Sequence, residues 1–122
     1  MPLSALLPAA ASVLALAAPP AHPPAASLAL ALQDSTGRVS TVTLDCHPAG
    51  GDHPGKAKAC AALTTVDGDF DRLPAEATVC PMIYSPTTAT AQGHWRGKPV
   101  VYTHTFGNKC AAAAESAGVF EF

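Results

Sequence analysis

Ser27-Leu28-Ala29-Leu30-Ala31-Leu32-Gln33 places a leucine at every second position, with small residues between. Period two is the signature of a strand with one buried face. Asp34-Ser35-Thr36-Gly37 is a turn cluster. Val39 to Cys46 then supplies a second strand, with Val42, Leu44 and Cys46 on one side. Together they read as a β-hairpin.

His47 to Gly55 holds two prolines and three glycines and is loop. Ala57 to Val66 carries Cys60, Leu63 and Val66 at helical spacing. Phe70 and Leu73 extend that stripe until Pro74 stops it. Thr87 to Gln92 is strand-like, Gly93 to Gly97 reads as a turn, and Val100 to Phe106 is a strand with Val100, Tyr102 and Phe106 on one side. Ala111 to Ala114 suits a short helix, and Val119 to Phe122 an edge strand. The expected fold is α+β in two layers, an antiparallel sheet of about five strands covered by two helices.

Composition narrows the function classes. The chain has 122 residues, room for one domain. Its 48% hydrophobic content is largely alanine, with one Trp, two Tyr and four Phe to build a core. Such thin cores need staples. A net charge of −2, with no basic stripe or polybasic run, speaks against nucleic-acid and membrane partners. Residues 1–33 contain no charged side chain, and Leu3 to Ala18 is mostly Ala, Leu and Val. Ala15-Leu16-Ala17 offers a small-x-small cleavage pattern ahead of the Pro-rich Pro19 to Pro24. The expectation is therefore a secreted protein: residues 1–26 a signal and Ala/Pro arm, residues 27–122 the domain.

In an oxidising compartment the four cysteines form disulfides. Three connectivities are open. Cys46 with Cys60 and Cys80 with Cys110 is favoured, because each pair ties a strand end to the next element. Cys46, His47, His53 and Cys60 are the one metal-ligand cluster, yet they lack a CxxC or HxxxH pair. A disulfide flanked by exposed loop histidines is the better reading, and no metal or cofactor is expected. Catalytic signatures such as GxSxG, HExxH or CxxC are absent. His104 reads as a half-buried strand histidine, and Asp67, Asp69 and Asp71 as solvated turn carboxylates.

Cys80-Pro81-Met82-Ile83-Tyr84-Ser85-Pro86 stands apart. Each proline fixes its own φ and drives the preceding residue toward extended backbone. The product is a stiff, extended segment tied at one end. Pattern alone leaves two readings open: a strand entering the core, or a substrate-like bait for a protease.

From Cys46 onward the chain resembles the subtilisin inhibitor-like family of secreted protease inhibitors. The resemblance rests on Val-Thr-Leu-x-Cys (Val42 to Cys46), His53-Pro54, Ala59-Cys60-Ala61, Gly68-Asp69 and Cys80-Pro81-Met82 with Tyr84 and Pro86. Gly93 to Lys98, Phe106 to Cys110 and Val119 to Phe122 complete it. It implies a five-stranded antiparallel sheet with two helices, a homodimer, the favoured disulfide pairing, and inhibition of subtilisin-like and chymotrypsin-like serine proteases rather than catalysis. It also implies a reactive bond at Met82–Ile83, with Val79, Cys80, Pro81, Tyr84 and Ser85 in contact with the protease and Asn108 bracing the loop. Ser85 stands where the family carries an acidic residue, and Ala112 where it carries a larger side chain near the dimer contact. The alternatives are a disulfide-stapled binding module without inhibitory activity, and inhibition of a metalloprotease through another face.

Overall fold

Leu28, Leu30 and Leu32 are buried along one face of β1 (Ala26–Gln33) in the computed structural model, which describes residues 23–122. The expected leader lies outside the described residues. β1 runs antiparallel both to β2 (Val39–Cys46) and to β3 (Thr87–Trp95), and β3 pairs in turn with β4 (Lys98–Phe106). The sheet order is β2-β1-β3-β4, so β1 is central although it comes first in the chain. On β3, Ala89 faces Leu32 and Ala91 faces Leu30. Small residues beside large ones leave room for the helical layer. Burying each leucine is worth about 1.5–3 kcal/mol.

That layer contains α1 (Lys56–Thr65), which buries Ala59, Cys60 and Leu63, and α2 (Lys109–Glu115), which buries Ala112 and Ala114. Between α1 and β3, Phe70–Arg72 makes a single 3₁₀ turn, capped by the Asp69 carboxylate accepting from the Asp71 N–H at 3.1 Å. Disulfides join Cys46 to Cys60 and Cys80 to Cys110. The first ties the end of β2 to α1. The second ties the long loop before β3 to α2.

Four features depart from the sequence reading. The sheet has four strands, because Val119 to Phe122 is not an edge strand. After α2 the chain turns through a Schellman motif, with Gly118 N–H donating to Ala113 O (2.9 Å) and Ala117 N–H to Ala114 O (3.4 Å). That reversal sends Val119 and Phe120 into the core, where Phe120 packs against Phe70, Tyr102 and Phe106. Two adjacent buried apolar residues cannot alternate as a half-buried strand does.

Gly93 and His94 belong to β3, and the turn shrinks to Arg96–Gly97, both with left-handed φ (47° and 80°). Such a two-residue turn matches the twist of the strands it joins. Gly93 is a close-approach glycine, since a Cβ there would lie 2.0 Å from the Ser27 carbonyl oxygen on β1.

His53 is buried rather than exposed. Its Nδ1 accepts from the Gly55 N–H (2.9 Å) and its Nε2 donates to Val119 O (2.8 Å), an assignment of the ring proton made from the two partners. The imidazole thus pins the C-terminal segment to the loop after β2. His104, conversely, is exposed on β4, edge-on to Phe106 at 4.5 Å. β4 is one of the sheet's two edge strands.

Candidate functional site

Between Leu73 and Thr87 the chain forms neither helix nor strand. Prolines at 74, 81 and 86 deny it a regular hydrogen-bond ladder. The segment arches outward over a cavity of about 520 Å³ lined by Glu76, Cys80, Asn108, Ala111 and Ala114 among others. Core packing therefore does not hold it. Discrete supports do.

At the base, Glu76 N–H donates to Ala114 O (2.8 Å), and the Glu76 carboxylate pairs with Lys58 on α1 at 2.6 Å. That contact raises the Lys58 pKa, chiefly through the hydrogen bond from its ammonium to Glu76. Further along, Cys80 is bonded to Cys110 in the first turn of α2. Closing a loop of this length contributes about 3–4 kcal/mol in the chain-entropy picture.

Asn108 supports the middle. Its Oδ1 caps α2 by accepting from the Ala111 N–H (2.7 Å), which fixes the amide's orientation. Its Nδ2 then donates to Pro81 O (3.0 Å) and to Ile83 O (2.9 Å). One amide thus ties the carbonyls on either side of Met82. Beyond, Ser85 N–H donates to Gly107 O (2.8 Å), and the hydroxyls of Ser85 and Ser35 share a hydrogen bond of 3.1 Å.

What these supports present is apolar. Val79 and Met82 are fully exposed, Tyr84 is 85% exposed and Ile83 62%. Leaving such side chains in water forgoes about 1.5–3 kcal/mol apiece. A contiguous exposed apolar patch on a fixed frame marks a surface made to be covered by a partner. The prolines that stiffen the loop also keep it from the core, so it is not a strand entering the core.

The remaining chemistry-bearing residues lie elsewhere. Cys46 and Cys60 are bonded to each other, so neither offers a thiolate. Asp67 accepts from Lys98 Nζ (2.9 Å) and Trp95 Nε1 (3.1 Å), and these partners, Lys98 first, lower its pKa. It is a strut between α1 and the β3–β4 turn. Ala112 is fully buried within the chain. Lys58, Glu76, Gly107 and Ser35 were not singled out by the sequence reading. Ser35 comes into place only through the β1–β3 register: the pairing of Gln33 with Thr88, extended by two places, brings it alongside Pro86.

A subtilisin inhibitor-like family model matches residues 14–108. A Streptomyces avermitilis relative is 48% identical over 77 residues, 63% of this chain, which spans about half (52%) of that relative's length. Subtilisin inhibitor-like protein 5 of Streptomyces fradiae is 41% identical over 107 residues, covering 83% of this chain and 100% of that protein. Among solved structures, Streptomyces caespitosus sermetstatin in complex with Bacillus licheniformis subtilisin superposes with a TM-score of 0.63 at 35% identity, over 80% of this chain and 98% of that one. The chain belongs to the subtilisin inhibitor-like family.

Proposed function

We propose that this protein inhibits subtilisin-like serine proteases by presenting Met82–Ile83 as a rigid, substrate-like bond. The observation that carries this reading is the Asn108 amide clasping Pro81 O and Ile83 O while Met82 projects free into solvent. Residues 79–82 lie against the protease as an added strand, main chain to main chain. Met82 enters the primary pocket, where its unbranched thioether adapts to a wide apolar slot. The same side chain offers no partner to a buried pocket carboxylate, which favours subtilisin-like and chymotrypsin-like enzymes over trypsin-like ones. Ordering the loop in advance removes much of the cost of binding and lengthens the life of the complex.

Two further parts of the reading follow from the same chain. Secretion fits an apolar, uncharged N-terminal stretch and two disulfides. A homodimer fits the outer face of the sheet, where Ala29, Thr41, Thr90, Gln92, Val101 and Thr103 form an uncharged patch bordered by Asp45 and Asp52. Sedimentation equilibrium tests the second; a monomer at micromolar concentration would exclude it. The inhibitory reading is tested by titrating subtilisin activity with the purified protein. Stoichiometric, tight loss of activity is expected, and full activity in the presence of excess protein refutes it.

A further inference from the structure

The two sides of the Met82–Ile83 bond are held unequally. On the Met82 side Cys80 is covalently fixed to α2 through Cys110. On the Ile83 side no disulfide intervenes before β3. This matters once a protease acts. The enzyme's serine oxygen bonds to the Met82 carbonyl carbon, the Met82–Ile83 C–N bond breaks, and Ile83 leaves as an amine carrying the transferred proton. The acyl-enzyme ester then meets one of two nucleophiles. Water releases a cleaved inhibitor with a Met82 carboxylate. The Ile83 amine, if still in place, remakes the peptide and returns the serine hydroxyl. Retention of Ile83 decides between them, because a held amine has a high effective concentration.

Besides the Thr87 hydroxyl on β3, which donates to Ser85 O (3.2 Å), three hydrogen bonds from more distant parts of the chain retain residues 83–85. Two come from one flank, Asn108 Nδ2 to Ile83 O and Ser85 N–H to Gly107 O. The third comes from the opposite flank, the Ser35–Ser85 hydroxyl pair at 3.1 Å. Extending the β1–β3 register places Ser35 beside Pro86, and a proline has no N–H with which to continue that ladder. A side-chain contact stands in for it. Ser35 is well fixed for this task. The Asp34 carboxylate accepts from the Thr36 N–H (2.9 Å), the Thr36 hydroxyl (2.6 Å) and the Arg38 N–H (3.0 Å), and so locks the turn that carries Ser35.

We infer that Ser35 is a positioning residue for religation: from the β1–β2 turn it holds Ser85, and through it the Ile83 amine, against the acyl-enzyme. This rests on the inhibitory reading above. The test brings wild type, Ser35→Ala, Ser85→Ala, the double variant and Ser35→Thr to equilibrium with catalytic subtilisin, starting from both intact and cleaved protein. The cleaved-to-intact ratio is read by mass spectrometry. Ser35→Ala should raise that ratio about threefold, the worth of one exposed neutral hydrogen bond. Ser85→Ala should match it, the double variant should go no further, and Ser35→Thr should restore the wild-type ratio. Melting temperature should fall by no more than a few degrees, the share of the same hydrogen bond in the intact fold, so the ratio and its rescue by Ser35→Thr carry the test. An inhibitory wild type whose ratio equals that of Ser35→Ala, or additive single effects, overturns the inference alone. A wild type that neither inhibits nor is cut after Met82 overturns the inhibitory reading beneath it.

Discussion

Asn108 Nδ2 lies 2.9 Å from Ile83 O while the same residue's Oδ1 caps α2, so the helix and the exposed loop share one side chain. The two jobs are separable by substitution. Asn108→Asp keeps the cap acceptor and loses the donors to Pro81 and Ile83. Asn108→Ala loses both, including a cap worth about 1 kcal/mol. Both variants should bind subtilisin at first and then be digested over hours, with Asn108→Ala alone also losing the helix cap. Time courses of residual protease activity check this, and equally durable inhibition by Asn108→Asp contradicts it.

The Cys80–Cys110 bond closes a separation of 30 residues and meets the loop two residues before Met82. Cys80→Ser combined with Cys110→Ser should cost about 3–4 kcal/mol of stability. It should also turn the protein from inhibitor into substrate. Urea unfolding measures the first and protease assays the second. Sustained inhibition by a folded double variant counts against the clamp.

Met82 is fully exposed on the loop, so its replacement should alter partner choice without altering the fold. Met82→Lys should move preference from subtilisin toward trypsin-like enzymes by tenfold or more, on the scale of pocket discrimination. Inhibition constants for both enzymes give the answer. An unchanged ratio refutes the role given to Met82.

Part of this was legible in the sequence and part was not. The leucines at 28, 30 and 32 announced β1 because period two has no other common cause. α1 was readable from Cys60, Leu63 and Val66 for the same kind of reason. Val119 and Phe120 were misjudged because their fate depends on a reversal after α2 and on a hydrogen bond to His53, 66 residues away. The exposure of Val79, Met82 and Tyr84 was also invisible locally, since their residue types favour burial. It follows from prolines and struts that hold the segment off the core.

Acid should loosen the frame in a definite window. Asp34, Asp52 and Asp67 have pKa values below the ordinary carboxylate value, held there first by the Thr36 hydroxyl, the Thr43 N–H and the Lys98 ammonium respectively. A depressed folded-state pKa contributes stability that is complete above the unfolded value, about 3.9, and is lost as pH falls through the folded value. Burial raises the Tyr102 pKa, so its contribution fails at the other end, above about pH 10. Stability should be flat between roughly pH 5 and 9 and fall on both sides. Asp67→Asn should flatten the acid limb in pH-dependent melting curves, and an unaltered limb contradicts the assignment.

Cleavage by the protease should fall at the proposed Met82–Ile83 bond and at no other. The most direct measurement is amino-terminal sequencing of the protein after incubation with catalytic subtilisin under conditions of full inhibition. A single new amino terminus beginning Ile83-Tyr84-Ser85 is expected, alongside intact chain. Inhibition accompanied by a single new terminus elsewhere, or digestion throughout the chain with no inhibition, contradicts it.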